Sequence, residues 1–218
     1  MLEFNFISDS SSPYFQRALE IYVDSFPANE RQPIEKIRQW VDCGDYRLIA
    51  ARQGDDLLGF SLLRLFENAD FALLDYFAIA RHHRGKGVGS ALFRRTCDFA
   101  LTELPVSFML LEVEDPAFGS QSEKSARQRR VGFYKRFGGR VVKNFQYLLP
   151  PLEGGAPTNM LLMVCDGGRG IAMDKPKVME IVTSVYRDMY GRGVDDSLLC
   201  RMRDALSATE VYVEEPVI

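Results

Sequence analysis

The stretch FALLDYFAIARHHRGKGVGS, residues 71–90, decides the fold of this 218-residue chain. Residues 71–80 are apolar at nearly every position, as expected for a strand that is covered on both faces. A helix with an apolar stripe is predicted from about 87 to 103, and a further strand is predicted over residues 107–114. We expect this strand–helix–strand unit to be a right-handed crossover between parallel strands.

A glycine-rich loop, Arg84-Gly85-Lys86-Gly87-Val88-Gly89-Ser90, joins the first of these strands to the helix. Glycines let successive backbone N–H groups turn toward one anion without Cβ clashes, and the helix N-terminus adds a partial positive charge. The loop therefore predicts a pyrophosphate site, strengthened by Arg84 and Lys86. A Walker A loop needs a different spacing, and a dinucleotide-binding loop would need glycine at Ser90. A turn that is rich in glycine only for packing is the alternative.

Hydrophobic periodicity and turn residues predict the other elements. The other strands are expected at about 3–8, 46–52, 57–66, 140–149 and 158–165. A turn over residues 150–157 would join the last two of these strands. The other helices are expected after Pro13, after Pro33, at about 123–137 and, as a pair, beyond residue 174. The predicted fold class is α/β (α+β), with a mixed, mostly antiparallel sheet of about seven strands and flanking helices. Residues 1–165 would form the main domain. The C-terminal helical extension, residues 166–218, could pack on the sheet edge, form a homodimer contact or cover the substrate cleft.

Composition argues against several classes of function. The net charge of −3 argues against nucleic acid as the main partner, because phosphate binding needs a basic face. The four cysteines are scattered without CxxC spacing and the two histidines are adjacent, so we expect no metal site. The N-terminus does not resemble a signal peptide, and no apolar run approaches the roughly 20 residues that span a bilayer. We therefore expect a cytoplasmic protein that does not insert into membranes.

The stretch from Phe77 to Gly89 resembles motif A of the GNAT acetyltransferases. That motif is an apolar strand followed by R/Q-x-x-G-x-G/A, and Arg84, Gly87 and Gly89 fill its fixed positions. Residues 132–139, GFYKRFGG, are similar to the family's tyrosine-bearing helix that ends in glycine.

Two further features bear on the same resemblance. The segment Ser25-Phe26-Pro27 with Glu30 is similar to the family's loop between the first two helices, and the order of elements is similar over roughly residues 3–165. The chain departs from the family at Arg81, where proline is usual, and at Arg127, where some members carry an asparagine that contacts the cofactor.

The resemblance implies a GNAT-like fold, acetyl-CoA as co-substrate without a metal, and direct transfer of the acetyl group to a primary amine in a ternary complex. Backbone groups of Phe77, Ala78 and Ile79 would bind the pantetheine arm and polarise the thioester carbonyl. The pyrophosphate would be held by Arg84, Gly85, Lys86, Gly87, Val88, Gly89 and Ser90. The acceptor, a small-molecule amine or a protein lysine or N-terminus, is left open. A non-catalytic acyl-CoA-binding sensor or regulatory module is the alternative function.

Acetyl transfer to an amine requires the removal of a proton from the ammonium ion and a proton for the departing thiolate. The strand period places Glu112 and Glu114 on one face of their strand, and a carboxylate inside an apolar strand is unusual because its burial is costly. We expect Glu112 to be the general base, in a position similar to a glutamate used by some protein-acetylating members of the family. The alternatives are Glu114 as the base and a purely structural Glu112.

The resemblance also assigns the remaining roles. Tyr134 would be the general acid, because its position is similar to that of the family's tyrosine near the cofactor sulfur; simple packing against the sheet is the alternative. Phe26 and Glu30 lie in a loop that commonly lines the acceptor site. With Glu114 they would form an acidic, partly aromatic mouth that attracts an amine cation.

Overall fold

Nine β-strands and six α-helices follow one another in the computed structural model, which describes residues 1–152, 155–207 and 210–214. The chain divides into two compact units, residues 1–109 and 110–218. The predicted boundary between residues 165 and 166 stays a prediction.

The first unit is an antiparallel sheet with helices packed on it. Its elements are β1 (Glu3–Ile7), α1 (Pro13–Ser25), α2 (Ile34–Asp42), β2 (Tyr46–Gln53), β3 (Asp56–Leu65), β4 (Phe71–Ile79) and α3 (Val88–Glu103), with short 3₁₀ turns at Ala28–Glu30 and Arg81–His83. The strands lie in the order β1-β2-β3-β4, and each neighbouring pair is antiparallel. Pro13 begins α1 and Pro33 immediately precedes α2, as the sequence predicted, because proline fits the start of a helix but not its interior.

Both faces of this sheet are covered by helices. Tyr22 of α1 is buried against Phe60 of β3, and α2 packs on β2. From the other side, Thr96 of α3 shares a buried hydrogen bond of 2.8 Å with Ser61 of β3. Since strand residues alternate between faces, the adjacent Phe60 and Ser61 point toward different helices. The nearly continuous apolar character of β4 follows from this double cover.

A β-bulge interrupts the pairing of β3 with β4. Leu62 is opposite Tyr76 and Leu63 is opposite Leu74, so Asp75 is an extra residue without a partner on β3. A bulge of this kind breaks the alternation of faces locally. Asp75 contacts Tyr46, and Tyr76 contacts Tyr22, so both side chains lie on the face that α1 and α2 cover.

The second unit contains the remaining strands and three helices. Its elements are β5 (Phe108–Glu114, whose first two residues belong to the first unit), α4 (Gln121–Lys135), β6 (Arg140–Lys143), β7 (Tyr147–Leu149), β8 (Thr158–Cys165), α5 (Lys175–Tyr190), α6 (Ser197–Ser207) and β9 (Tyr212–Val213). Strand β8 is antiparallel to both β6 and β7, and β9 is antiparallel to β6. Helix α4 begins at a capping box, in which Ser120 and Glu123 each bind the other's backbone N–H.

The predicted fold class is confirmed, with nine strands where about seven were expected. The segment predicted as one strand over 140–149 forms β6 and β7 instead, because Asn144 between them has a left-handed backbone with φ of 58°. The short β9 was not predicted. In the turn predicted over 150–157, residues 153 and 154 lie outside the described residues.

The two helices predicted in the C-terminal extension are α5 and α6, and both pack on β7. Tyr186 of α5 donates a hydrogen bond to the backbone oxygen of Leu148, and the sulfur of Met202 in α6 lies 3.4 Å from the backbone nitrogen of Leu148. The extension begins at the buried Asp166, which pairs with Arg140. Both helices therefore contact β7, and the role of the extension as a sheet cover, a homodimer contact or a cover of the substrate cleft stays a prediction.

Candidate active site

Within the glycine-rich loop, Gly87 is the N-cap of α3 and has φ of +83°. Gly85 also has a left-handed backbone, with φ of +77°, and a Cβ on either glycine would meet open space among the described residues. The first helical hydrogen bond runs from the backbone nitrogen of Ala91 to the oxygen of Gly87, so the amides of residues 88–90 need a partner outside the helix. A glycine cap has no side chain to supply that partner. The arrangement suits an anion.

The basic side chains of the loop differ in their surroundings. Arg84 donates from Nε to the backbone oxygen of Ile79 at 2.9 Å and from Nη2 to Oγ of Ser25 at 3.3 Å. It thereby ties the loop to the end of β4 and to the end of α1. Lys86 is exposed. The loop therefore has one cation held against the protein and one that extends into solvent.

The end of β4 packs closely against its neighbours. Gly59 of β3 faces Ile79, and a Cβ there would lie 2.5 Å from Cδ1 of Ile79 and 2.6 Å from the backbone oxygen of Ala78. Behind the strand, the ring of Phe77 meets that of Phe93 of α3 at 5.9 Å. Only glycine fits position 59, so the backbone predicted to hold the pantetheine arm is firmly supported from β3.

Tyr76 of β4 binds the predicted acceptor loop through its hydroxyl and its ring. The hydroxyl of Tyr76 donates to the backbone oxygen of Glu30 at 3.0 Å and accepts from the backbone nitrogen of Gln32 at 3.0 Å. The ring of Phe26 packs edge-on against that of Tyr76, with centroids 5.0 Å apart. The structure thus brings Phe26 and Glu30 together around one side chain of β4, with Phe26 half-buried and Glu30 exposed.

The two glutamates of β5 have different partners. Glu112 accepts a hydrogen bond at Oε1 from the hydroxyl of Tyr147, which is fully buried. Burial, together with the negative charge of Glu112, raises the pKa of Tyr147 well above its ordinary value, so the phenol remains a hydrogen-bond donor. Glu114 instead accepts from Arg127 and from Arg130 of α4, each at 2.8 Å.

One of these two arginines, Arg127, is the position at which the sequence departs from the family pattern. Arg127 donates in addition to the backbone oxygen of Phe118 at 2.9 Å, so it joins β5, the following loop and α4. Because the carboxylate of Glu114 already has two cationic partners, it is the less available of the two glutamates as a base or as a binder of an incoming cation.

Tyr134 lies near the end of α4 and is mostly buried. The helix ends at Lys135, and the chain then turns at Gly138, whose φ is +83°, with a hydrogen bond of 2.9 Å from the backbone nitrogen of Gly139 to the oxygen of Tyr134. A Cβ at Gly139 would lie 2.9 Å from that oxygen. The glycine pair therefore lets the chain turn back closely over Tyr134.

One polar group in the first unit was missed in the sequence. Asp75, at the bulge of β4, accepts a hydrogen bond from the hydroxyl of the buried Tyr46. Burial raises the pKa of Asp75 to about 6, although the hydrogen bond from Tyr46 and the charges of Arg64 and Lys36 act in the opposite direction. The signal was available, because Asp75 is the only charged residue in the apolar run 71–80.

The sequence matches the acetyltransferase (GNAT) family over residues 15–138, which is more than half of the chain. The protein therefore belongs to the GNAT family of acetyltransferases. No curated protein gave a significant match.

Solved structures of acetyltransferases have a similar fold. A putative GNAT acetyltransferase from Bacteroides thetaiotaomicron is 26% identical, with a TM-score of 0.70 over 87% of this chain and 99% of that one. The IAA acetyltransferase from Bacillus cereus is 16% identical, with a TM-score of 0.53 over 76% and 99% of the two chains. A GNAT acetyltransferase from Elizabethkingia anophelis with acetyl-CoA bound is 15% identical, with a TM-score of 0.50 over 76% and 97%.

The similarity to the Bacteroides protein extends into the C-terminal extension. Residues 1–165 are only about three quarters of this chain, so a match to 87% of it must include part of the segment that follows.

Within residues 1–152, 155–207 and 210–214, none of the helices has both the length and the hydropathy needed to cross a membrane. In the same residues, no group of three or more His, Cys, Asp and Glu side chains has an arrangement that would hold a metal ion.

Proposed function

We propose that this protein transfers the acetyl group of acetyl-CoA directly to a primary amine, with both substrates bound at once. The observation that carries the proposal is the N-terminus of α3, where Gly87 caps the helix without a side chain and the following amides are open to an anion. The acetyl-CoA bound in the Elizabethkingia relative supports the choice of donor.

The residues of the first unit fit acetyl-CoA. Its pyrophosphate would accept hydrogen bonds from the amides of residues 88–90, with Lys86 adding positive charge. The backbone of Phe77, Ala78 and Ile79, supported by the close contact at Gly59, would hold the pantetheine arm. When bound, acetyl-CoA supplies an acetyl group that is activated as a thioester.

We propose Glu112 as the general base. It would take the proton that the ammonium ion must lose before its nitrogen can attack, either directly or through a water molecule. The hydrogen bond from Tyr147 supports this choice, because it orients the carboxylate of Glu112 through Oε1. Glu114 is a weaker candidate, since Arg127 and Arg130 both bind its carboxylate.

Tyr134 is our proposed general acid. As the C–N bond forms and the C–S bond breaks, its hydroxyl would give a proton to the departing thiolate. The acylated nitrogen would lose its second proton to solvent, and solvent would return a proton to the phenolate. The tight glycine turn after α4 supports the role, because it restricts the backbone that carries Tyr134.

The acceptor would enter beside Phe26 and Glu30. An aromatic ring next to an exposed carboxylate suits the alkyl part and the charged end of an amine. The amine would belong to a small molecule, a protein lysine or a protein N-terminus, and the cytoplasmic location and the homodimer stay predictions.

The test is release of free thiol from acetyl-CoA across a panel of polyamines, amino sugars, amino acids and lysine peptides. Release with one class, reduced about 10²- to 10⁴-fold in kcat by Glu112→Gln and by Tyr134→Phe, is the expected result. If the protein binds acetyl-CoA but no acceptor in the panel reacts, an acyl-CoA-binding sensor is the better interpretation. If it binds no CoA at all, the proposed site is wrong.

A further inference from the structure

The bulge at Asp75 gives β4 two consecutive polar side chains on one face. In a regular strand Asp75 and Tyr76 would point in opposite directions, whereas here both face α1 and α2. Tyr76 holds the loop with Phe26 and Glu30, so Asp75 is adjacent to the side chain that organises the proposed acceptor site. All of these residues belong to the first unit.

Asp75 is also close to the proposed position of the acetyl donor. It precedes Phe77 by two residues in the same strand, which corresponds to about 7 Å along the backbone. The backbone of Phe77 to Ile79 is the proposed support of the pantetheine arm. A group bound at Asp75 would therefore lie near the donor and beside the acceptor loop.

The carboxylate of Asp75 has one occupied oxygen and one open oxygen. Tyr46 donates to Oδ2, and within the described residues no donor reaches Oδ1. The side chain is partly exposed, although protein surrounds most of it. A carboxylate with one oxygen held by a buried phenol and no donor from the described residues on the other oxygen is a ready acceptor for a cationic donor.

Charged and titratable neighbours face Asp75 from each element packed around it. They are Tyr22 of α1, Lys36 of α2, Tyr46 of β2, Arg64 of β3 and Tyr76 of β4 itself.

The two cations among these neighbours are already engaged. Arg64 lies 2.7 Å from Oδ2 of Asp45 and stacks over Trp40, and Lys36 lies 4.4 Å above the same ring. They act on Asp75 only through space. Since burial still raises the pKa of Asp75 against their effect, its carboxylate is short of compensating positive charge when ionised.

We propose that Asp75 binds the ammonium group of the acceptor, so that the enzyme selects cationic primary amines over neutral amines. This inference rests on the proposed function for its place in catalysis, but the binding itself does not require turnover. Asp75 is a specificity-determining residue in this arrangement, and Tyr46 is a positioning residue that fixes its rotamer.

The test compares a cation with a neutral molecule of the same shape. Binding of n-pentylammonium and of n-pentanol to the full chain is measured by calorimetry in the presence of CoA, for wild type, Asp75→Asn, Asp75→Glu and Asp55→Asn. Asp55 lies in the exposed turn between β2 and β3, so Asp55→Asn removes the same charge outside the site. Wild type and Asp55→Asn should prefer the cation by about 10- to 100-fold, the strength of a charged hydrogen bond.

Asp75→Asn should remove this preference, and Asp75→Glu should keep part of it because the charge remains. Equal binding of the two probes by wild type, or an unchanged preference in Asp75→Asn, would overturn the proposal. If wild type transfers acetyl groups, Asp75→Asn should raise KM for the amine and leave KM for acetyl-CoA unchanged. A preference for the cation without any acetyl transfer would support the binding site and contradict the proposed function.

Discussion

The hydroxyl of Tyr147 in β7 donates a hydrogen bond to Oε1 of Glu112 in β5. Tyr147 is completely buried, and its pKa is raised well above the ordinary value, chiefly by that burial. The phenol therefore stays protonated at every pH at which the enzyme would work, and it favours both one orientation and the ionised form of Glu112.

Replacing Tyr147 with phenylalanine removes this donor and little else. We expect kcat to fall about 10- to 100-fold, the usual value of a hydrogen bond to a charged group. The acidic limb of the rate–pH profile should also move to higher pH, because the ionised carboxylate loses a stabilising partner. The measurement is the pH dependence of kcat, with Tyr212→Phe on the exposed surface of β9 as the control. A reduced rate with an unmoved acidic limb would mean that Tyr147 acts only through packing.

The variant Glu114→Gln distinguishes the structural role expected of Glu114 from the catalytic role proposed for Glu112. Because Glu114 is bound by Arg127 and Arg130, we expect this variant to lose about 1 kcal/mol of the free energy of unfolding, while kcat changes by less than tenfold. Glu112→Gln should have the reverse pattern, with a large loss of kcat. Denaturant unfolding and thiol-release kinetics on both variants make the comparison. A larger loss of kcat in Glu114→Gln than in Glu112→Gln would make Glu114 the base.

Gly87→Ala tests the anion site against a control that has the same backbone strain. Gly87 and Gly54 both have positive φ, at +83° and +60°, and a Cβ on either meets open space among the described residues. Alanine should therefore cost each variant about 1–2 kcal/mol of stability. Only Gly87→Ala should also weaken CoA binding, by about tenfold or more, because the loop amides move. Equal Kd values for CoA in the two variants would exclude the loop as the pyrophosphate site.

Asp75→Asn should change how stability depends on pH. Burial raises the pKa of Asp75 from an ordinary 3.8 to about 6, so the folded state holds this proton more tightly than the unfolded state does. The resulting stabilisation is complete below about pH 4 and is lost as the pH rises through about 6. The Tm of Asp75→Asn relative to wild type should therefore increase between pH 4 and pH 7. Scanning calorimetry at several pH values measures this, and a constant difference across that range would contradict it.

Local signals in the sequence predicted most of the fold. Pro13 and Pro33 correctly indicated the starts of α1 and α2. The glycine-rich loop was correctly predicted to lie between a buried strand and a helix. The break at Asn144 was missed because the residues around it alternate as one strand would, and a left-handed asparagine has no pattern of its own. The two-residue β9 exists through its pairing with β6, so its own sequence hardly indicates a strand.

The candidate site was harder to predict for a physical reason. Glu112 and Glu114 have the same periodicity and the same chemistry, and only the partners brought by other elements distinguish them. The charge of Asp75 is visible in the sequence, but its place on the same face as Tyr76 is not, because a bulge is a property of two paired strands and the sequence of β4 alone does not reveal the register of β3.

The bulge in β4 also bears on how such a site could be acquired. Asp75 is one extra residue in the strand, and Leu74 and Tyr76 on either side of it both have partners on β3. Insertion of one residue would therefore be enough to add the acidic side chain, without the exchange of an apolar position for a charged one. A single deletion at position 75 would reverse this step without a new core residue. Differences in acceptor preference among related chains could therefore arise from insertions and deletions of one codon in β4.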